Sequence, residues 1–290
     1  MRLSLIAIVV FCFASQVAYT QSSKKVVTDT SYASRVYVLR LKEYKDGKRE
    51  KRFLHDLAVA ASERGDFVNA EKIGNEYVRL SKPPYTKDEL AFIDDYTKVS
   101  TDPGFDLFYR HPGIVDPLLG ENAAINKVKS IIYKEEILPY QNTNTDWDKI
   151  GKKVIKKYGN AGEEIFMRAK VLDYFNKNEI TKFAEAAIPY IKKYGDRVPL
   201  FELNNYAWAV FENVNDSALL KCALGWSEKT LQEDGSITFM DTYANLLYKL
   251  GKKREAISFE ENAVKKASDK EKPEFQANLD KMKKGEKTWK

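Results

Sequence analysis

The chain has 290 residues, 43% of them apolar, 12% aromatic and 31% charged, which is room for one long repeat array or two conventional domains and too apolar for disorder. Nine prolines and fourteen glycines are too few for a loop-rich all-β protein. The net charge of +6 collects near the C-terminus, where Asp280 and Glu286 dilute Lys281, Lys283, Lys284, Lys287 and Lys290 and only Trp289 is aromatic. A nucleic-acid surface needs basic residues on one face with interleaved aromatics, so no nucleic-acid partner is expected and the run reads as a solvated, fraying tail.

Residues 1–20 have the form of a secretory signal peptide: Arg2 at the start, an apolar run from Leu3 to Ala14, and Ala18-Tyr19-Thr20 as a small-x-small end. Cys12 sits in the run without the small residues of a lipoprotein cleavage site. No later segment approaches the roughly 20 apolar residues of a membrane span, so the expectation is an exported protein, periplasmic or secreted, without membrane insertion. Cleavage would leave Cys222 as the one cysteine, excluding an internal disulfide and a C-x-x-C pair. In SALLKCALGW it reads as a buried thiol packing as a small hydrophobe, with an intermolecular disulfide the alternative.

Residues 21–50 form a linker and an uncertain N-terminal segment, in which Arg35–Tyr44 fits a strand or a helix. From Lys51 the helical period is firm: Leu54, Leu57, Ala58 and Ala61 share a face, Gly65-Asp66 is a turn, Ala70 and Ile73 follow, and Pro83-Pro84 stops the pair. Thr86 and Glu89 form a capping box opening a helix through Leu90, Ile93 and Thr97. Prolines 112 and 117 break the next stretch into short turns, and Glu121–Leu138 reads as a helix. Residues 51–140 are therefore an N-terminal helical repeat and connector.

Residues 141–290 return to regularity. Thr145 or Asn144 is placed to cap a helix carrying Trp147, Ile150, Val154 and Ile155. The string IKKYG at 155–159 recurs at 191–195, its glycines 36 residues apart, within the range of helix-pair repeats. In both copies the lysines suit the last turn of a helix and the glycine its C-terminal cap, and Pro189 predicts a kink or a late start in the second. Helices over LFELNNYAWAVFENVND and ALLKCALGWSEKTLQEDG follow, and Pro273 opens a capping helix, Lys272 to about Lys284. The most regular unit is Thr238–Lys266. Ala244 lies seven residues before Gly251 and Ala256 five after it, the spacing of Ala58, Gly65 and Ala70. Closely crossed antiparallel helices need small side chains at the crossing and a turn residue free to take positive φ. The fold class that follows is all-α, a tetratricopeptide-like helix-pair repeat array (α-solenoid).

No catalytic constellation accompanies this scaffold. His55 and His111 lie in different segments, and neither H-E-x-x-H, G-x-S-x-G, Walker A nor G-x-G-x-x-G occurs. The expectation is a non-enzyme with no metal and no cofactor, whose partner is a protein or peptide. In helix-pair solenoids the first helix of each pair lines the concave side. Here that side displays Asn204, Trp208, Phe211, Asp241, Asn245, Tyr248 and Lys249, a set able to hold an extended peptide by hydrogen bonds and stacking. The competing role for Trp208 and Phe211 is filling space between repeats.

The stretches Leu203-Asn204-Asn205-Tyr206-Ala207-Trp208, Ala223-Leu224-Gly225-Trp226-Ser227-Glu228 and Asp241–Gly251 resemble the helical C-terminal region of exported thioredoxin-like proteins from Bacteroidetes. The resemblance covers residues 50–270, with Gly65-Asp66 and Thr101-Asp102 similar to the connector of those proteins. The thioredoxin domain has no counterpart: no C-x-x-C is present, and the roughly 30 residues before the first repeat are too few for that fold. The resemblance therefore implies a helical binding module or, alternatively, an accessory of envelope thiol-redox or protein-folding pathways that partners a thioredoxin-like protein. It does not imply oxidoreductase activity.

Overall fold

A computed structural model describes residues 32–141, 143 and 145–289. The expected leader at 1–20, Cys12 and the linker up to residue 31 lie outside the described residues. Among the described residues the chain is all-helical, with 14 α-helices packed in neighbouring pairs and no strand. The described residues divide into two compact units between Pro84 and Tyr85.

The first unit contains α1 (Tyr32–Lys45), α2 (Lys51–Glu63) and α3 (Phe67–Leu80). The ambiguous Arg35–Tyr44 is helical, for a reason its apolar residues hide. Val38 and Leu39 are exposed, and the packed face is carried by Tyr37 and Tyr44, two turns apart. Tyr37 donates to Asp66 Oδ2 at 2.7 Å and Tyr44 to Glu76. Leu54, Leu57, Ala58, Ala61 and Ile73 are fully buried between α2 and α3. Asp66 caps α3 by accepting from the backbone N–H of Asn69 at 3.2 Å.

The second unit begins with α4 (Lys87–Asp95), α5 (Phe105–Arg110), α6 (Pro112–Leu119) and α7 (Ala123–Ile132). The Thr86–Glu89 capping box is present in both directions, although α4 ends before Thr97. The helix expected through Leu138 changes pitch: a π turn (Tyr133–Ile137) and a 3₁₀ turn (Leu138–Tyr140) follow α7. Then come α8 (Trp147–Asn176), α9 (Ile180–Tyr194), α10 (Leu200–Asn213), α11 (Ser217–Glu233), α12 (Ile237–Lys249), α13 (Lys253–Lys266) and α14 (Lys272–Lys284). The cap of α8 is Asp146, accepting from the N–H groups of Asp148 and Lys149, rather than Thr145 or Asn144. α9 runs through Pro189 without interruption. α14 has the expected bounds and buries Phe275, Leu279 and Met282.

One turn recurs. At Gly251 (φ 82°) the N–H bonds back to the Tyr248 carbonyl at 3.0 Å, and the Lys252 N–H reaches the Leu247 carbonyl at 2.9 Å. The same two bonds close α2 at Gly65 (φ 72°), through Ser62 and Ala61. This left-handed closure satisfies two carbonyls that a helix end otherwise leaves unpaired. α8 ends the same way on Asn178 (φ 56°), through Phe175 and Tyr174, because asparagine tolerates the left-handed region best after glycine. Seven residues before Asn178 and five after it stand the fully buried Val171 and Phe183. The spacing is therefore shared by a third pair that lacks its alanines.

The second IKKYG copy is as expected, with Lys192 and Lys193 in the last turn of α9 and Gly195 as its C-cap, and the first requires a correction. Neither glycine ends a helix in the left-handed cap. Gly159 (φ 54°, ψ −136°) bends α8 in its middle, and Gly195 (φ −60°, ψ −25°) is right-handed and begins a 3₁₀ turn. What the copies share is a carboxylate clamp. Tyr158 donates to Glu135 Oε2 at 3.0 Å and Tyr194 to Glu163 Oε2 at 3.1 Å. The preceding lysine pairs with an acid on the same neighbouring element, Lys157 with Glu136 at 3.1 Å and Lys193 with Glu163. Burial alone would raise the Glu135 carboxyl, but bonds from Ser100 and Tyr158 and the Lys157 charge hold it below the ordinary range.

Candidate functional site

The seven residues expected on a concave face lie on α10 and α12, which neighbour each other in the second unit. Both helices bury Leu203, Tyr206, Ala207, Val210, Ala244, Leu246 and Leu247, which fixes how the remaining positions are turned. Four of the seven are buried. Phe211 and Asn245 are fully so, and Asp241 and Asn204 retain 2% and 3% exposure. The Asn245 amide donates to Asp241 Oδ1 at 2.9 Å, and Asn278 of α14 donates to the same oxygen at 2.8 Å. The first bond is internal to α12, and the second ties α14 to it. Asn204, Asp241 and Asn245 are therefore interior residues, and Phe211 is the buried one that contacts Trp208 and Lys249.

Trp208, Tyr248 and Lys249 are half-buried and form its open part. Trp208 lies 4.9 Å from the Phe211 ring, centroid to centroid. Lys249 Nζ donates to the Phe211 carbonyl at 2.7 Å. That carbonyl is in the last turn of α10, where the helix dipole favours a cation, so Lys249 ties α12 to the end of α10.

Sequence reasoning missed the fourth member of this cluster. The segment after α14, expected as a solvated tail, instead returns to the site. Gly285 (φ 81°) turns the chain, and Trp289 comes to rest edge-on to Phe211 at 6.3 Å and to Tyr248 at 6.1 Å. Two ammonium groups bracket its indole, Lys249 at 5.1 Å and Lys287 at 5.9 Å. Burial, and secondly the charge of Lys287, pushes the Lys249 ammonium below the ordinary lysine range. The only sequence signal was a lone tryptophan between Thr288 and Lys290. Chemically the arrangement is an aromatic slot with one fixed cation, suited to receive an extended segment through a planar side chain.

Cys222 is half-buried and packs beside the core of α10 and α11. His55 lies on α2 with Nδ1 3.1 Å from Asp56, and His111 is exposed between α5 and α6. The two are not brought together in one unit. No described helix is long and apolar enough to cross a membrane. No protein-family model matches the chain, and no characterised protein matches it in sequence.

Proposed function

We propose that this chain is an exported, non-enzymatic helical module that binds a protein or peptide in the slot between α10 and α12. On this reading the helix pairs continue as a tetratricopeptide-like array, and residues 1–20 are the leader that exports it. One observation carries the proposal: Phe211 with the half-open Tyr248 and Lys249 holds a non-helical segment of the same chain through Trp289, and the half-open Trp208 packs beside them on Phe211. A surface that accepts such a segment in cis has the shape and chemistry to accept one in trans.

The experiment is affinity capture from an envelope extract, followed by binding of the captured partner to Trp208→Ala and Tyr248→Ala chains. Loss of about 30-fold in affinity at an unchanged melting temperature supports the slot, since anchor residues at interfaces cost about 2 kcal/mol or more on truncation. Unchanged binding with a lowered melting temperature returns both residues to the core. The resemblance at Leu203–Gly251 supports a second reading, an accessory of envelope thiol-redox or folding pathways. Capture of a thioredoxin-like partner favours it.

A further inference from the structure

Resting on the peptide-binding reading, we propose that Lys287–Trp289 is a weak internal occupant of the α10–α12 slot, and that the partner displacing it presents an aromatic side chain flanked by carboxylates. The contacts of Trp289 are favourable: two aromatic edges and a cation over its ring. The contacts of its neighbours are not. Lys287 brings a second ammonium to an indole that Lys249 already occupies, and among the described residues neither amine has an ion-pair partner. Lys249 cannot turn away without giving up the Phe211 carbonyl at the end of α10. The Thr288 hydroxyl oxygen is buried and has no hydrogen-bond partner among the described residues. A buried hydroxyl left unpaired offsets much of what an aromatic contact returns.

The segment therefore fits by shape and mismatches by charge. An incoming segment that keeps the aromatic ring and replaces the Lys287 ammonium with a carboxylate retains every ring contact. It exchanges a cation–cation approach for an ion pair in a partly desolvated site, where such pairs count for more than at an open surface. The slot then has two states, closed on Trp289 and open to the partner. The closed fraction lowers the apparent affinity for anything bound in trans.

The test uses the full chain and two dye-labelled pentapeptides read by fluorescence anisotropy. One has the sequence of residues 286–290, Glu-Lys-Thr-Trp-Lys, and the other has both lysines replaced by aspartate. The acidic peptide binds more tightly than the basic one. Trp289→Ala raises the affinity for the acidic peptide about 10-fold if the slot is closed in roughly nine molecules of ten. Lys287→Glu acts in the opposite direction: by giving the internal segment the missing carboxylate, it weakens binding of the acidic peptide several-fold. This second variant leaves every ring in place, so it decides the matter if Trp289→Ala fails to fold. Equal affinities of wild type and both variants, or equal affinities for the two peptides, overturn the inference. So does a wild-type dimer abolished by Trp289→Ala, which would make a second copy the occupant. If the captured partner depends on Trp208 and Tyr248 but binds wild type and Trp289→Ala alike, only the internal-occupant inference fails. A partner indifferent to Trp208 and Tyr248 removes the peptide-binding reading itself.

Discussion

The α2–α3 and α12–α13 pairs share a turn and differ in what they bury. Gly65 and Gly251 close the first helix of each pair with the same two hydrogen bonds, and Ala58, Ala70, Ala244 and Ala256 stand at the same distances and are all buried. Beyond that the pairs part. α2 and α3 bury apolar side chains and one glycine. α12 and α13 bury Asp241, Thr242, Asn245 and Glu260 as well. Burying amides and carboxylates costs several kcal/mol unless they are hydrogen-bonded, so pairing alone gives no reason for them. The turn with its small flanks is enough to make a helix pair. The polar interior of α12 is an addition, and through it Asp241 receives Asn278 of α14.

The comparison is broken most severely at Asp241. Asp241→Ala leaves the Asn245 and Asn278 amides short of an acceptor in a buried site, and a loss of about 3 kcal/mol in urea denaturation is expected. No carboxylate or amide is among the buried residues of α2 and α3. A loss below about 1 kcal/mol would mean that the buried network is dispensable.

Next in size are the positions the pairs share. Ala58→Leu and Ala244→Leu each force extra methylenes into a close helix crossing, at an expected cost of about 1–3 kcal/mol in the same assay. Similar losses sharpen the comparison. A silent substitution at either alanine would show that equal spacing does not mean equal packing.

The smallest effect separates the turns by pH. Burial alone would raise the Asp66 carboxyl, but hydrogen bonds from Asn69 and Tyr37 outweigh it and leave the group below its ordinary value. A carboxyl depressed on folding stabilises the folded state above its unfolded value of about 3.9, and that contribution is lost as pH falls through the folded value. Hydrogen exchange of α3 amides should therefore be faster in Asp66→Asn than in wild type at pH 6, with the gap closing below about pH 4. Lys252 occupies the corresponding position after Gly251, so α13 should show no such term.

Glycine turns and alanine crossings were legible in the sequence because they depend on local sterics alone. The bounds of α14 and the Thr86 capping box were legible for the same reason. α1 was not, because its packed face is two tyrosines whose hydroxyls reach acids far along the chain. Asn178 was passed over because it does the work of a glycine from a position flanked by bulky Val171 and Phe183. Gly159 misled in the other direction: repetition signalled a shared cap, which Gly195 provides for α9, but the role common to both copies belongs to the Lys-Tyr pair. Within the candidate site, helical spacing named seven positions on α10 and α12, two neighbouring helices. It could not separate Phe211, Asp241 and Asn245, which are covered, from Trp208, Tyr248 and Lys249, which stay half-open. Trp289 returns from beyond the last helix, and no periodicity records such a contact.

The most direct measurement follows the four tryptophan indole N–H signals by NMR as the acidic aromatic pentapeptide is added. The account predicts that the Trp289 signal moves toward that of a solvated indole and the Trp208 signal shifts with it. Trp147, on α8 and bonded to Asp173, should stay in place. A Trp289 signal unmoved while the peptide binds, or peptide-induced shifts confined to Trp147, would contradict it.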